Sequence, residues 1–61
     1  MPPKASEVYR RLLREGWREQ EGGKGSHRKL RRNGVSITVP YHSRELRVGT
    51  WESIKKRAGW R

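Results

Sequence analysis

Asn33-Gly34 is the feature that most narrows what this chain can become. A type I′ turn needs positive φ at both central residues, and Asn-Gly is the dipeptide that takes it most readily. Short alternating runs flank it on both sides. A two-residue turn fixes their register, so Arg32 faces Val35, Arg31 faces Ser36, Leu30 faces Ile37, Lys29 faces Thr38 and Arg28 faces Val39. Side chains alternate across a strand. One face of the predicted hairpin therefore carries Leu30, Val35, Ile37 and Val39, and the other carries His27, Lys29, Arg31, Ser36 and Thr38. The histidine falls among cations and hydroxyls, away from the apolar face.

A hairpin this basic needs a core supplied from elsewhere, and the chain has little material for one. Only 30% of its 61 residues are hydrophobic, and cysteine is absent, so neither disulfides nor a thiolate zinc site can staple it. The length suits one small domain, residues 1–61. Three tryptophans offset the small apolar count, since each can bury a large area. The formal net charge is +10, from 16 Lys and Arg against 6 acidic residues, all of them Glu. That excess points to a polyanion partner, most simply nucleic acid. An anionic membrane is the weaker reading, because no long apolar segment and no broadly apolar basic helix is present. Met1-Pro2-Pro3-Lys4 does not read as a signal peptide, so the expected location is the cytoplasm. Without Asp, the carboxylate cluster of a Mg²⁺-dependent nuclease is missing, and two histidines make a poor zinc site. The expectation is no metal and no cofactor.

Ala5, Val8, Tyr9, Leu12 and Leu13 follow the i, i+3, i+4, i+7, i+8 pattern of an amphipathic helix. It is predicted from about Lys4 to Glu15, with Gly16 as its stop. Trp17 to Gln20 reads as a short strand, with Trp17 covering one end of the core. Glu21 to Gly25 holds three glycines and reads as a loop. The hairpin follows from His27 to Val39, ended by Pro40. Tyr41 to Gly49 is a connection anchored by Leu46 and Val48. Thr50 is the expected N-cap of the last helix, with Glu52 at N2 and an inner stripe of Trp51, Ile54 and Ala58. Gly59 is its stop, with Trp60 placed to complete a Schellman cap. The order is helix, strand, strand, strand, helix. Two helices packed on one face of a three-stranded antiparallel sheet would bury every apolar stripe at once, an α+β fold with the other face open.

On that open face His27 is the candidate catalytic residue. An exposed strand histidine is often only a surface residue. This one follows a glycine-rich loop and sits among Lys24, Lys29 and Arg31, which can hold phosphates. A neutral imidazole can take a proton from a ribose 2′-hydroxyl, which is what RNA cleavage without a metal requires. His42, just beyond Pro40, is a possible second acid/base, although a structural hydrogen bond explains a loop histidine slightly better. Gly25 and Ser26 shape the loop before His27. The run Arg28-Lys29-Leu30-Arg31-Arg32 has no acidic residue near it between Lys24 and Arg44, so Arg28, Lys29 and Arg31 are candidate phosphate contacts. Tyr41 could stack on a base.

Taken in order, Gly25-Ser26-His27, Ile37-Thr38-Val39-Pro40-Tyr41-His42, Glu45-Leu46, Gly49-Thr50, Ser53-Ile54 and Ala58-Gly59 resemble the HicA toxins of toxin–antitoxin pairs. The resemblance covers nearly the whole chain and includes the leading helix that ends in Gly16-Trp17. It implies a fold like that of double-stranded-RNA-binding domains, α-β-β-β-α. It also implies a type II toxin that cleaves mRNA with one essential histidine, matching His27, and a HicB antitoxin as partner. Where many relatives carry a second histidine or an aromatic after Gly-Ser-His, this chain has Arg28-Lys29. Where many have a longer hairpin turn, it has Arg32-Asn33-Gly34. The rival readings are a non-catalytic RNA-binding module of the same fold and a basic protein that only binds an acidic partner. Against the first rival, the start of the last helix reads Trp51-Glu52-Ser53 rather than basic.

Overall fold

The computed structural model describes residues 2–22, 25–41 and 44–60. Helix α1 spans Ala5–Arg14, strands β1, β2 and β3 span Arg18–Gln20, His27–Arg32 and Val35–Pro40, and helix α2 spans Val48–Ala58. The strands form one antiparallel sheet in the order β1-β2-β3.

The turn does what its sequence demands. Asn33 and Gly34 both take positive φ, 51° and 79°. Every expected hairpin pair is present, from Arg32↔Val35 to Arg28↔Val39, and the ladder runs one pair further to His27↔Pro40. In such a hairpin hydrogen-bonded and non-bonded pairs alternate from the turn outward. Ser36, Thr38 and Pro40 therefore direct their ladder groups to the outer edge of β3. Tyr41 stays in phase, its N–H donating to the Ser26 carbonyl at 2.6 Å. On the other side, β1 pairs Arg18↔Arg31, Glu19↔Leu30 and Gln20↔Lys29.

Both helices cover the face that carries Leu30. Ala5, Val8 and Leu12 of α1, Ile54 and Ala58 of α2, Leu30, Ile37 and Val39 of the sheet, and Trp17 and Leu46 form one buried cluster. Val35 lies on the same face by register but at the tip of the hairpin, where it stays 37% exposed. Helix α1 ends in a Schellman motif: Gly16 has φ 92°, its N–H donates to the Leu13 carbonyl, and the Trp17 N–H donates to the Leu12 carbonyl. The chain thereby reverses within two residues and drops Trp17 into the core directly before β1.

Helix α2 departs from the sequence expectation. It starts at Val48 with Arg47 as its N-cap residue, so Thr50 lies inside the first turn and caps nothing. Tertiary anchoring explains the earlier start. Leu46 is buried, its N–H donates to the Pro3 carbonyl at 3.0 Å, and Glu45 bridges to Lys4. Released from that anchor, the chain turns at once into the helix, and the Trp51 N–H already donates to the Arg47 carbonyl at 2.9 Å. At the other end Gly59 takes φ 78° and the Trp60 N–H donates to the Lys55 carbonyl at 2.8 Å. None of the described helices is long and apolar enough to cross a membrane.

Candidate functional site

Strand parity divides the basic residues between two sides of the sheet. Arg28 and Arg32 share the face of Leu30 and point toward the helices, whereas His27, Lys29 and Arg31 point away from them. The open face is arranged in rows across the strands: Arg18, Arg31 and Ser36; then Gln20, Lys29 and Thr38; then His27 and Pro40. Among the described residues this face holds no carboxylate. His27, Lys29, Arg31 and Arg18 are all exposed.

His27 opens onto a groove of about 400 Å³ lined by Glu19, Gln20, Glu21, Gly22, Gly25 and Arg28, where β1 and β2 diverge into the glycine-rich loop. Gly25 has φ 57°, a conformation that L side chains rarely adopt, so a side chain here would strain the loop just before the histidine. Ser26 is held by its carbonyl to the Tyr41 N–H, which ties the start of β2 to the end of β3 and sets where His27 emerges. The expected Lys24 and His42 lie outside the described residues.

Arg28 and Tyr41 are placed differently from the other expected contacts. The Arg28 guanidinium donates to Glu19 Oε2 at 3.0 Å and lies 5.4 Å from the centre of the Tyr41 ring. Tyr41 meets Tyr9 edge-on, with ring centres 5.1 Å apart, and the Tyr9 hydroxyl donates to the second oxygen of Glu19. Four side chains thus close a ring on the helix side. The Tyr9 hydrogen bond and then Arg28 hold the Glu19 carboxyl below the usual carboxylate range, and Glu19 in turn raises the Tyr9 phenol above its ordinary value.

A second cluster surrounds Glu15. Its carboxylate accepts from Trp60 Nε1 at 2.7 Å and from Arg11 Nε at 3.0 Å, and its carbonyl accepts from Arg32 at 2.7 Å. Arg11 covers the Trp60 ring at 3.8 Å, and Arg32 lies 5.0 Å from the Trp17 ring. The Trp60 hydrogen bond, then that of Arg11, lowers the Glu15 carboxyl. Carboxylates and aromatic rings therefore occupy the helix-side arginines and leave the open face cationic. Sequence reading missed Arg18 and Gln20 as members of that face. The available signal was the buried Trp17, because alternation from an inward residue 17 turns 18 and 20 outward.

Such a face can hold a chain of phosphates beside an accessible imidazole. The described residues include no group of three His, Cys, Asp or Glu able to hold a metal ion. Fold and face together define a small α-β-β-β-α domain with one bare, cationic sheet face. Residues 5–60 match the HicA toxin of bacterial toxin–antitoxin systems, and the chain belongs to that family. A solved structure described as a toxin–antitoxin complex from Streptococcus pneumoniae contains a chain that is similar, with 39% identity and a TM-score of 0.75 over 95% of this chain and 98% of that one. A search of curated proteins finds no significant match.

Proposed function

We propose that this toxin is a metal-independent endoribonuclease that cleaves mRNA in the cytoplasm, with His27 as its catalytic acid/base, and that a HicB-type antitoxin neutralises it. The observation that carries this reading is the exposed His27 on a sheet face whose described charges are all positive. Lys29 and Arg31 hold the RNA phosphates, and Gly25 and Ser26 fix the loop that presents the histidine. His27 takes the proton of a ribose 2′-hydroxyl, the 2′-oxygen attacks the adjacent phosphorus, and the bond from phosphorus to the 5′-oxygen breaks. The departing 5′-oxygen needs a proton, and His42 is the candidate donor. Membership of a toxin family supports a target in the cell, and the toxin–antitoxin complex that contains the similar chain supports a protein partner. An antitoxin that covers this face would bring carboxylates to Lys29 and Arg31, since burying unpaired cations is costly.

The test compares His27→Ala with the parent protein on a long RNA, with and without EDTA. The exposed position creates no cavity, so stability is expected to change by no more than about 0.5 kcal/mol. Cleavage is expected to fall by at least roughly 10²-fold, and parent cleavage to persist in EDTA. A folded His27→Ala protein that cuts at the parent rate would overturn the mechanism and favour a non-catalytic RNA-binding module.

A further inference from the structure

Arg18 and Arg31 are directly paired across β1 and β2 on the open face. In a hydrogen-bonded antiparallel pair the Cα atoms stand about 5.5 Å apart. Like charges placed directly opposite destabilise a sheet. Three cations elsewhere in the molecule have carboxylate partners: Arg11 has Glu15, Arg28 has Glu19 and Lys55 has Glu52. Among the described residues Arg18 and Arg31 have no ion pair, and Lys29 follows in the next row without one. A groove of about 370 Å³ opens at this pair, lined by Gly16, Arg18, Gln20, Arg31, Arg32, Asn33 and Gly34. Gln20 also lines the groove of His27, so its side chain joins the two concavities. Its Nε2 donates to the Arg18 carbonyl at 3.2 Å, which holds it along the strand between them.

We propose that Arg18 and Arg31, with Gln20 as the connecting polar contact, form a second phosphate subsite that grips the RNA strand away from the bond being cut. This rests on the reading of the open face as the RNA-cleaving surface. Arg31 lies four positions beyond His27, which at the rise of an antiparallel strand is about 14 Å. A ligand containing only the scissile phosphate cannot span that distance, whereas a longer strand running from the His27 groove past Gln20 reaches the arginine pair. The subsite thus favours long RNA over short and sets the path of the strand along β2 toward the turn. Arg28 and Arg32 border these grooves but are held on the helix side by the Glu19 carboxylate and the Glu15 carbonyl.

Arg18→Gln tests this, because the side chain is exposed and has no ion pair among the described residues. Arg10→Gln, which removes the same charge from the exposed side of α1, is the control. On a long single-stranded RNA, Arg18→Gln is expected to raise KM about tenfold, the size of one charge-assisted hydrogen bond, with kcat unchanged. Its log–log salt dependence should be shallower by about 0.7, one single-strand contact. Cleavage of a dinucleoside monophosphate, which holds a single phosphate, should not change, and Arg10→Gln should behave as the parent. Equal losses on the short and long substrates would place Arg18 at the reacting centre and overturn the proposal. So would an equal effect of Arg10→Gln, or an Arg18→Gln protein with parental KM and salt slope. Binding of the same RNA by His27→Ala, with and without Arg18→Gln, reads the subsite independently of cleavage. A shallower slope there, in a protein whose parent cuts nothing, would retain the subsite and sink the nuclease reading instead.

Discussion

Arg28 and Arg31 stand three residues apart on one strand, and their surroundings differ in kind. Arg28 faces the helices, bonded to Glu19 and resting by Tyr41. Arg31 faces outward, opposite Arg18, with no acid in its row. The same strand thus uses one arginine to close its own structure and presents another to whatever arrives from solution. Basic composition alone cannot tell these apart, and net charge overstates the surface available to a polyanion. What separates them is parity: a residue number that is even or odd relative to Leu30 decides whether a cation is spent on folding or left for a ligand.

The largest expected difference between the two sides is in stability. Leu30→Ala, at a fully buried position, should cost about 2–5 kcal/mol, while Lys29→Ala beside it should stay within about 0.5 kcal/mol. Denaturant unfolding of the two variants checks this, and similar losses would mean that the open face is packed against something.

The next effect is on RNA. Lys29→Gln and Arg31→Gln should each weaken binding and reduce the log–log salt slope by about 0.7. Arg28→Ala should leave that slope unchanged and instead lower stability by about 0.5–1 kcal/mol, the usual range for a partly exposed ion pair with a ring contact. If Arg28→Ala flattens the salt slope as much as Arg31→Gln does, the division by face is wrong.

The smallest effect is at acid pH. Glu15 and Glu19 have carboxyls held below the ordinary value of 4.5 by their hydrogen bonds. A lowered carboxyl contributes stability above its unfolded-state value and loses it as pH falls through the folded-state one. Melting temperature should therefore be level near neutrality and decline below about pH 4.5, and Glu19→Gln should make the decline shallower without changing the RNA salt slope.

Much of this was legible in the sequence, and the reasons are specific. Asn33-Gly34 fixed the β2–β3 register, and with it the outward placement of His27, Lys29 and Arg31. The pattern around Ala5, Val8 and Leu12, closed by Gly16, located α1 to within a residue at each end. The start of α2 was not legible, because local cap chemistry favoured Thr50 while the contacts of Leu46 with Pro3 and of Glu45 with Lys4 decided the matter from a distance. The pairing of Arg18 with Arg31 and of Gln20 with Lys29 was not legible, for a different reason. A glycine-rich connection does not set register, so nothing local says which residue of β2 faces which residue of β1. The engagement of Arg28 and Tyr41 with Tyr9 and Glu19 needed the packing of α1 on the sheet, which joins residues nineteen or more positions apart to a carboxylate between them.

Pro40 sits opposite His27 at the end of β3, at a position whose ladder groups face the outer edge. Proline has no N–H to offer there. At the other end of the same edge, Arg57 reaches from α2 to donate to the Ser36 carbonyl at 3.3 Å. An exposed strand edge is a template on which further chains can stack, and native proteins blunt it with prolines and charges. Here a missing donor at one end and an occupied acceptor at the other leave, among the described residues of this edge, Thr38 with both groups unpaired. The β3 edge is thereby a poor template for edge-to-edge stacking, even though one whole face of the sheet stays bare.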